Sequence, residues 1–174
     1  MNILLFGGNS QRNKDWIHEV GKLLEPEFDK CVVHDYEHWD GKGEFIDFDL
    51  ELSRLPDEVA ELGDYVVFAK SVGSVLSLKA ISQGILKPIK CVFVGLPIKL
   101  AEEDNIPLDE LLKDNKTPTL IMQNTTDPVA SYKKVKSYIE ESKLDNYTLL
   151  ELEGDTHSYD DFKIMKSQIE SFVS

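Results

Sequence analysis

The sequence predicts an α/β fold, a three-layer sandwich in which a mostly parallel six-stranded sheet lies between helices. Three observations carry this. Short β-rich apolar runs recur along the chain with helical stretches between them. Most of the runs are continuous rather than alternating, as parallel strands covered on both faces require. Strand and helix take turns throughout, which calls for right-handed crossovers between parallel neighbours. The 174 residues suit a single domain, and no internal repeat, low-complexity segment or linker divides them.

The predicted strands are Asn2–Phe6, Lys30–His34, Asp64–Phe68, Lys90–Val94, Thr119–Gln123 and Tyr147–Leu152. After the first, Trp16, Ile17, Val20, Leu23 and Leu24 recur at helical spacing and form one apolar face. Leu52, Leu55, Val59 and Leu62 mark a second helix, with Pro56 suited to its first turn. The stretch 72–85 is apolar on most sides (Val75, Leu76, Leu78, Ala80 and Ile81), as a central helix packed on the sheet would be. Tyr132, Val135, Tyr138 and Ile139 mark another helix. Phe162, Met165, Ile169 and Phe172 form the stripe of the last, with Asp160 or Ser158 available as its N-cap. Two connections exceed ordinary loop length, Tyr36–Asp49 and Gly95–Pro118, the latter with a short helical pattern at Leu108, Leu111 and Leu112. Both follow strands, so both should sit at the carboxyl edge of the sheet, where such folds bind ligands.

Composition narrows the function. Thirty-two acidic against 19 basic residues give a net charge of −13, which repels phosphate backbones and anionic lipid. Neither nucleic acid nor a membrane surface is expected as a partner. No apolar run reaches the length of a bilayer span, and the start of the chain lacks the layout of a secretory signal, so a cytoplasmic protein is expected. Cys31 and Cys91 follow no metal spacing and read as buried, reduced thiols. His34, Asp35 and His38 straddle a strand end rather than one helix face. They read as structural or solvated groups, and no metal or other cofactor is expected.

The chemistry-bearing residues stand just beyond strand ends. Ala69-Lys70-Ser71-Val72-Gly73 joins a strand to a helix with small residues two before and two after the serine, the layout of a tight turn that exposes a hydroxyl above the sheet. Taken alone, Ser71 reads equally as a nucleophile or as a helix cap. Asp127 follows another strand in a polar turn, and His157 follows the last. Singly each reads more readily as a turn residue. Together, Ser71, Asp127 and His157 lie on one edge of the sheet, in the chain order of a triad built on such a sheet. A serine hydroxyl needs a base to take its proton, and a histidine base needs a carboxylate to fix its tautomer. The glycine turn after the first strand, with Gly8 and Asn9, offers backbone N–H groups to an oxyanion, alongside the N–H of Val72 at the helix start. Lys70 and Trp39 are candidate substrate contacts. Tyr36, Trp39, Phe45 and Phe48 either wall a pocket or anchor their loop.

These motifs resemble the α/β-hydrolase superfamily, in its small lidless serine-hydrolase form. Residues 69–73 look like G-x-S-x-G with alanine at the first glycine. Gln123-Asn124-Thr125-Thr126-Asp127-Pro128-Val129 looks like H-G-x-x-D-x-V, and Gly154-Asp155-Thr156-His157 like G-x-x-H. Phe6-Gly7-Gly8 replaces the usual His-Gly, and Lys70 the usual His or Asp. The family's first two antiparallel strands are missing, so the resemblance implies a minimal fold with strand order 2-1-3-4-5-6. That order would set Cys31 and Cys91 three strand spacings apart, about 14 Å, too far for a disulfide. The implied function is a serine hydrolase of carboxylesterase type that acts on a small-molecule substrate: small esters, thioesters or short peptides. Two alternatives stand beside it. One is a hydrolase-like fold that serves only as an interaction module. The other is a nucleotide-binding doubly wound domain with Gly7-Gly8 at the phosphates and Asp35 at the ribose, although Asn9 and Arg12 occupy its later glycine positions.

Overall fold

A computed structural model describes residues 1–41 and 43–174. Among them, six strands form one sheet, all parallel, in the order β2-β1-β3-β4-β5-β6. The strands are β1 Asn2–Phe6, β2 Lys30–His34, β3 Tyr65–Lys70, β4 Lys90–Val94, β5 Thr119–Asn124 and β6 Tyr147–Leu152. The central strands are buried along their whole length, which is why they read as continuous apolar runs rather than alternating ones. Two differ from their predicted spans. β3 begins and ends later, taking in Ala69 and Lys70, and β5 takes in Asn124. Polar residues continue both strands because each still pairs with one neighbouring strand, Lys70 with Val94 and Asn124 with Leu152.

The helices are α1 Arg12–Leu24, α2 Phe48–Val59, α3 Val72–Ser82, α4 Ile98–Glu103, α5 Leu108–Asp114, α6 Tyr132–Glu141 and α7 Phe162–Val173. α1 packs against α7, and α3 packs against α2 and α5. Pro56 lies inside α2 rather than in its first turn. The helix starts earlier because Asp47 caps it, its side chain accepting from Leu50 N–H. The predicted long connection 36–49 is shortened accordingly and contains a helical turn, Glu37–Asp40. The cap of α7 is Asp161, which accepts from Ile164 N–H, and not Asp160 or Ser158. Connection 95–118 holds α4 as well as the expected α5. Both cysteines are free, Cys91 buried and Cys31 only partly so. No described helix is long and apolar enough to cross a membrane.

The topology creates one special place. From β1 the chain moves outward to β2, then returns past β1 to β3 and continues the other way. Connections therefore diverge at the carboxyl ends of the paired strands β1 and β3, where Phe6 lies beside Ala69. Divergence leaves a crevice there, and open α/β sheets bind ligands in such crevices. Ser71 stands at one lip and Gly8 at the other.

Candidate active site

Ser71 follows β3 directly, and its backbone turns sharply at φ 52°, ψ −121°. A non-glycine residue with positive φ stores strain and is held there by its surroundings. Ser71 N–H donates to the Val94 carbonyl at 3.0 Å, which ties the turn to β4. The small residue at 73 is a packing requirement. A Cβ on Gly73 would stand 2.7 Å from the Gly7 carbonyl oxygen and 2.8 Å from Phe6 Cβ. Ser71 precedes the first residue of α3, yet its side chain makes no capping bond. The hydroxyl is therefore not spent on the helix.

Asp127 is buried and acts as a hub. Its Oδ2 accepts from His157 Nδ1 at 2.7 Å, from Tyr159 Oη at 2.6 Å and from Gln123 Nε2 at 3.2 Å. Its Oδ1 accepts from Val129 N–H at 2.8 Å. Burial by itself pushes this carboxyl's pKa up, but the hydrogen bonds from His157 and Tyr159, the charge of His157 and the Val129 N–H together hold it below its ordinary value. Asp155, the nearer acid in sequence, is exposed and makes no contact with the imidazole.

With Nδ1 donating to Asp127, Nε2 of His157 is the lone-pair nitrogen, and it is buried with no hydrogen-bond partner. The ring lies over the end of β4. A Cβ on Gly95 would come within 2.8 Å of His157 Cε1 and 2.7 Å of Tyr159 Cε2, and Gly95 itself has φ +64°. Glycine is thus required twice over at 95. The structure brings Asp127 and His157 together and sets both beside the strand end that holds Ser71. No hydrogen bond joins Ser71 to His157 in this arrangement.

Gly8 and Asn9 lie across the crevice. Among the described residues, neither N–H has a partner, and that of Val72, at the first position of α3, is free of intrahelical bonding. The turn is held from behind by its carbonyls. Tyr36 Oη donates to the Gly7 carbonyl at 3.0 Å, while His38 Nε2 and Trp39 Nε1 donate to the Asn9 carbonyl at 2.6 and 3.1 Å. Trp39 is 1% exposed. It is a prop for this turn and not a substrate contact, which corrects the expectation from sequence. Tyr36 has the same role, while Phe45, 71% exposed, stays at the surface.

Lys70 lines an open cleft beside His157, together with Arg12 and Asp160. Its ammonium, however, is used by the protein. It donates to Asn13 Oδ1 and to the Ser158 carbonyl, each at 3.0 Å, and lies 4.3 Å over the Trp16 ring. Burial lowers its pKa to about 8, against the opposing pull of Asp160 and Asp127. Lys70 therefore braces the His157 turn against α1. Of the groups proposed for a nucleotide site, Asp35 is paired with His18 Nε2 at 2.9 Å.

Sequence reasoning missed Tyr159, Gln123 and Asn124. Tyr159 bonds Asp127 and sits at φ 60°, and Asn124 Nδ2 ties down the Thr156 carbonyl at 2.8 Å. Nothing local marks Tyr159, because its partner is far away in the chain. Gln123 and Asn124 were visible only as part of the polar turn.

No family model matches the chain, and no curated protein sequence does. Solved structures do. Est1E from Butyrivibrio proteoclasticus with bound ferulic acid superposes with a TM-score of 0.77 over 99% of this chain and 87% of that one, at 15% identity. A second match is the Pyrococcus furiosus esterase Pf2001, with a TM-score of 0.74, 17% identity and coverage of 99% and 80%. A crystallised putative hydrolase of the α/β superfamily from Xanthomonas campestris matches over 99% of this chain and 95% of its own, at a TM-score of 0.69 and 16% identity. The fold is that of the α/β-hydrolases. In this α/β-hydrolase fold the sheet consists of the six parallel strands alone, and Ser71, Asp127 and His157 all leave its carboxyl edge.

Proposed function

We propose that the protein is a serine hydrolase of carboxylesterase type, with Ser71 as nucleophile, His157 as base and Asp127 as the acid that orients it. One observation carries the reading. A buried carboxylate fixes His157 through Nδ1 and leaves Nε2 unpartnered, beside a serine held in a strained turn with an unspent hydroxyl. Catalytic hydrogen bonds are often unformed before substrate binds.

In the reaction, Ser71 Oγ attacks the ester carbonyl carbon and gives its proton to His157 Nε2. Asp127 stabilises the imidazolium that forms. The carbonyl oxygen gains negative charge, and the free N–H groups of Val72 and of Gly8 or Asn9 receive it. Collapse of the tetrahedral intermediate breaks the ester bond, and His157 protonates the departing alcohol. Water then attacks the acyl-serine with His157 again as base, releasing the acid and restoring Ser71. No metal or cofactor takes part. The two free cysteines are in keeping with a reducing, cytoplasmic setting. That several structural neighbours are esterases supports esters as the substrate, with thioesters within the same chemistry.

A small fluorophosphonate should label the folded protein at Ser71 alone. Ser74 and Ser77 are buried and donate to the carbonyls of Ser71 and Gly73 at 2.6 and 2.7 Å, so neither should react. Intact mass and peptide mapping read the result, and Ser71→Ala should abolish the adduct while the chain still folds. An unlabelled wild-type protein overturns the assignment.

A further inference from the structure

Two spaces open at the residues flanking Ser71, one lined by Lys70 and the other by Val72, and they differ in character. The cleft on the His157 side is polar, with Lys70, Arg12 and Asp160 among its walls. On the other side, a cavity of about 160 Å³ is walled by Asn9, Val72, Leu100, Phe45, Ile46 and Phe48, with Asp104 at its edge. This second cavity contains both sides of the proposed oxyanion site, Asn9 and Val72, but not His157. Chemistry then fixes which half of an ester goes where. The leaving oxygen must receive its proton from His157 Nε2, so the alcohol half lies on the histidine side. The acyl half points away from it, into the cavity of Asn9 and Val72.

The cavity is also built rather than incidental. The Asn9 side chain staples its outer wall to the oxyanion turn: Oδ1 accepts from Ile46 N–H at 2.9 Å, and Nδ2 donates to the Glu44 carbonyl at 3.1 Å. Phe48 follows the capping residue Asp47 and is fixed by the start of α2. The walls are apolar except for Asn9 and the single carboxylate of Asp104, which is exposed and makes no ion pair among the described residues. A volume of this order, lined by aliphatic and aromatic groups, suits a benzene-sized guest.

Resting on the hydrolase reading above, we propose that this cavity is the acyl subsite and that it selects esters of short, uncharged, apolar acids, about four to eight carbons or one ring, against acetyl and against acyl groups that carry a carboxylate. Each added methylene is buried until the cavity is full, and later ones lie in solvent. Asp104 repels a second carboxylate at the mouth, and the apolar walls penalise its burial.

The test uses the wild-type chain with 4-nitrophenyl esters from acetate to dodecanoate, benzoate, and the hemisuccinate. kcat/KM should rise about fourfold per methylene, the ratio that burying one methylene supplies, to about hexanoate, and then level off. Benzoate should equal or exceed butyrate, and hemisuccinate should fall at least about tenfold below butyrate. Leu100→Trp fills the cavity and should move the preference to acetate. Asp104→Lys, at an exposed position, should recover hemisuccinate several-fold. Equal rates from acetate to hexanoate, or hemisuccinate matching butyrate, would overturn the subsite. Fluorophosphonate labelling run beside the panel keeps the two claims apart. Labelling at Ser71 with a flat panel rejects the subsite alone, whereas no labelling rejects the hydrolase reading and the subsite with it.

Discussion

Asp127 shows how much a single side chain depends on its surroundings here. Both of its oxygens are occupied, and the three donors on Oδ2 come from His157, Tyr159 and Gln123. Asp127→Asn would keep the size but offer an NH₂ where the imidazole now donates, so His157 would turn to the wrong tautomer. Ester turnover should fall by up to about 10⁴-fold, and Asp155→Asn, at an exposed acid, should leave it unchanged within about twofold. Tyr159→Phe is the subtler variant. It removes one donor from the carboxylate and the acceptor of Asn124 N–H, so kcat should fall about three- to tenfold with KM little changed. The missing hydrogen bond normally lowers the Asp127 pKa, so its loss should also move the acid limb of the kcat profile to higher pH. Steady-state kinetics across pH on one activated ester reads all three variants. Equal losses from Asp127→Asn and Asp155→Asn would remove Asp127 from its role.

At the scale of elements, the turn between β3 and α3 is set by close approach. Lys70 ends the strand, Ser71 takes the strained conformation, and Gly73 lets the first turn of α3 touch the backbone of β1. Gly73→Ala would drive a methyl group into the Gly7 carbonyl, a backbone atom that Tyr36 Oη holds in place. We expect a loss of about 1–3 kcal/mol, read as a lower denaturant midpoint, together with slower labelling of Ser71. Full stability with full labelling would show that the two strand ends can part. The loop from Tyr36 to Phe48 is legible in the same terms. From sequence its aromatic residues either wall a pocket or anchor the loop, and the structure divides them: Phe45 and Phe48 line the cavity beside Val72, whereas the rings of Tyr36 and Trp39 sit 4.5 Å apart behind the Gly7–Asn9 turn and hold its carbonyls. Burial decided between the two readings, and sequence spacing carries no measure of it.

Across the whole molecule, a charged cluster joins β2 to α2. His34 is fully buried, with Nε2 on Glu51 at 3.0 Å and Nδ1 on Glu58 at 2.8 Å, while Arg54 donates to Glu51 at 2.6 Å. Desolvation lowers the pKa of His34, but bonding and attraction to the two glutamates outweigh it and raise the pKa overall. Glu51 is also opposed by burial, yet His34, the Glu37 N–H and Arg54 bring it below its ordinary value. The signs follow from linkage. The His34 contribution is complete below its unfolded value of about 6.5 and is lost as pH rises through the raised folded value. The Glu51 contribution is present above about 4.3 and is lost as pH falls. Stability from this cluster should therefore peak between about pH 4.3 and 6.5. Thermal melts from pH 5 to 9 should show a decline for the wild type that is smaller in His34→Gln/Glu51→Gln. Parallel slopes in the two chains would contradict it.

The sequence by itself determined the class of fold, the strand positions, the strand ends that carry Ser71, Asp127 and His157, and the glycine turn opposite them. Those features are local, since an apolar run, a small-x-Ser-x-Gly turn or a polar turn after a strand is written in a few adjacent residues. Tertiary structure decided the rest. It showed that Ser71 leaves its hydroxyl free rather than capping α3, that Asp127 and not Asp155 reaches the imidazole, and that Trp39 supports the site from behind. It also spent the Lys70 ammonium on Asn13 and Ser158 and placed Tyr159 on the carboxylate. Each of these is a contact between residues distant in the chain, fixed by which strands lie side by side and how far each turn reaches past the sheet. Such contacts leave no periodicity or spacing in the sequence for a reader to find.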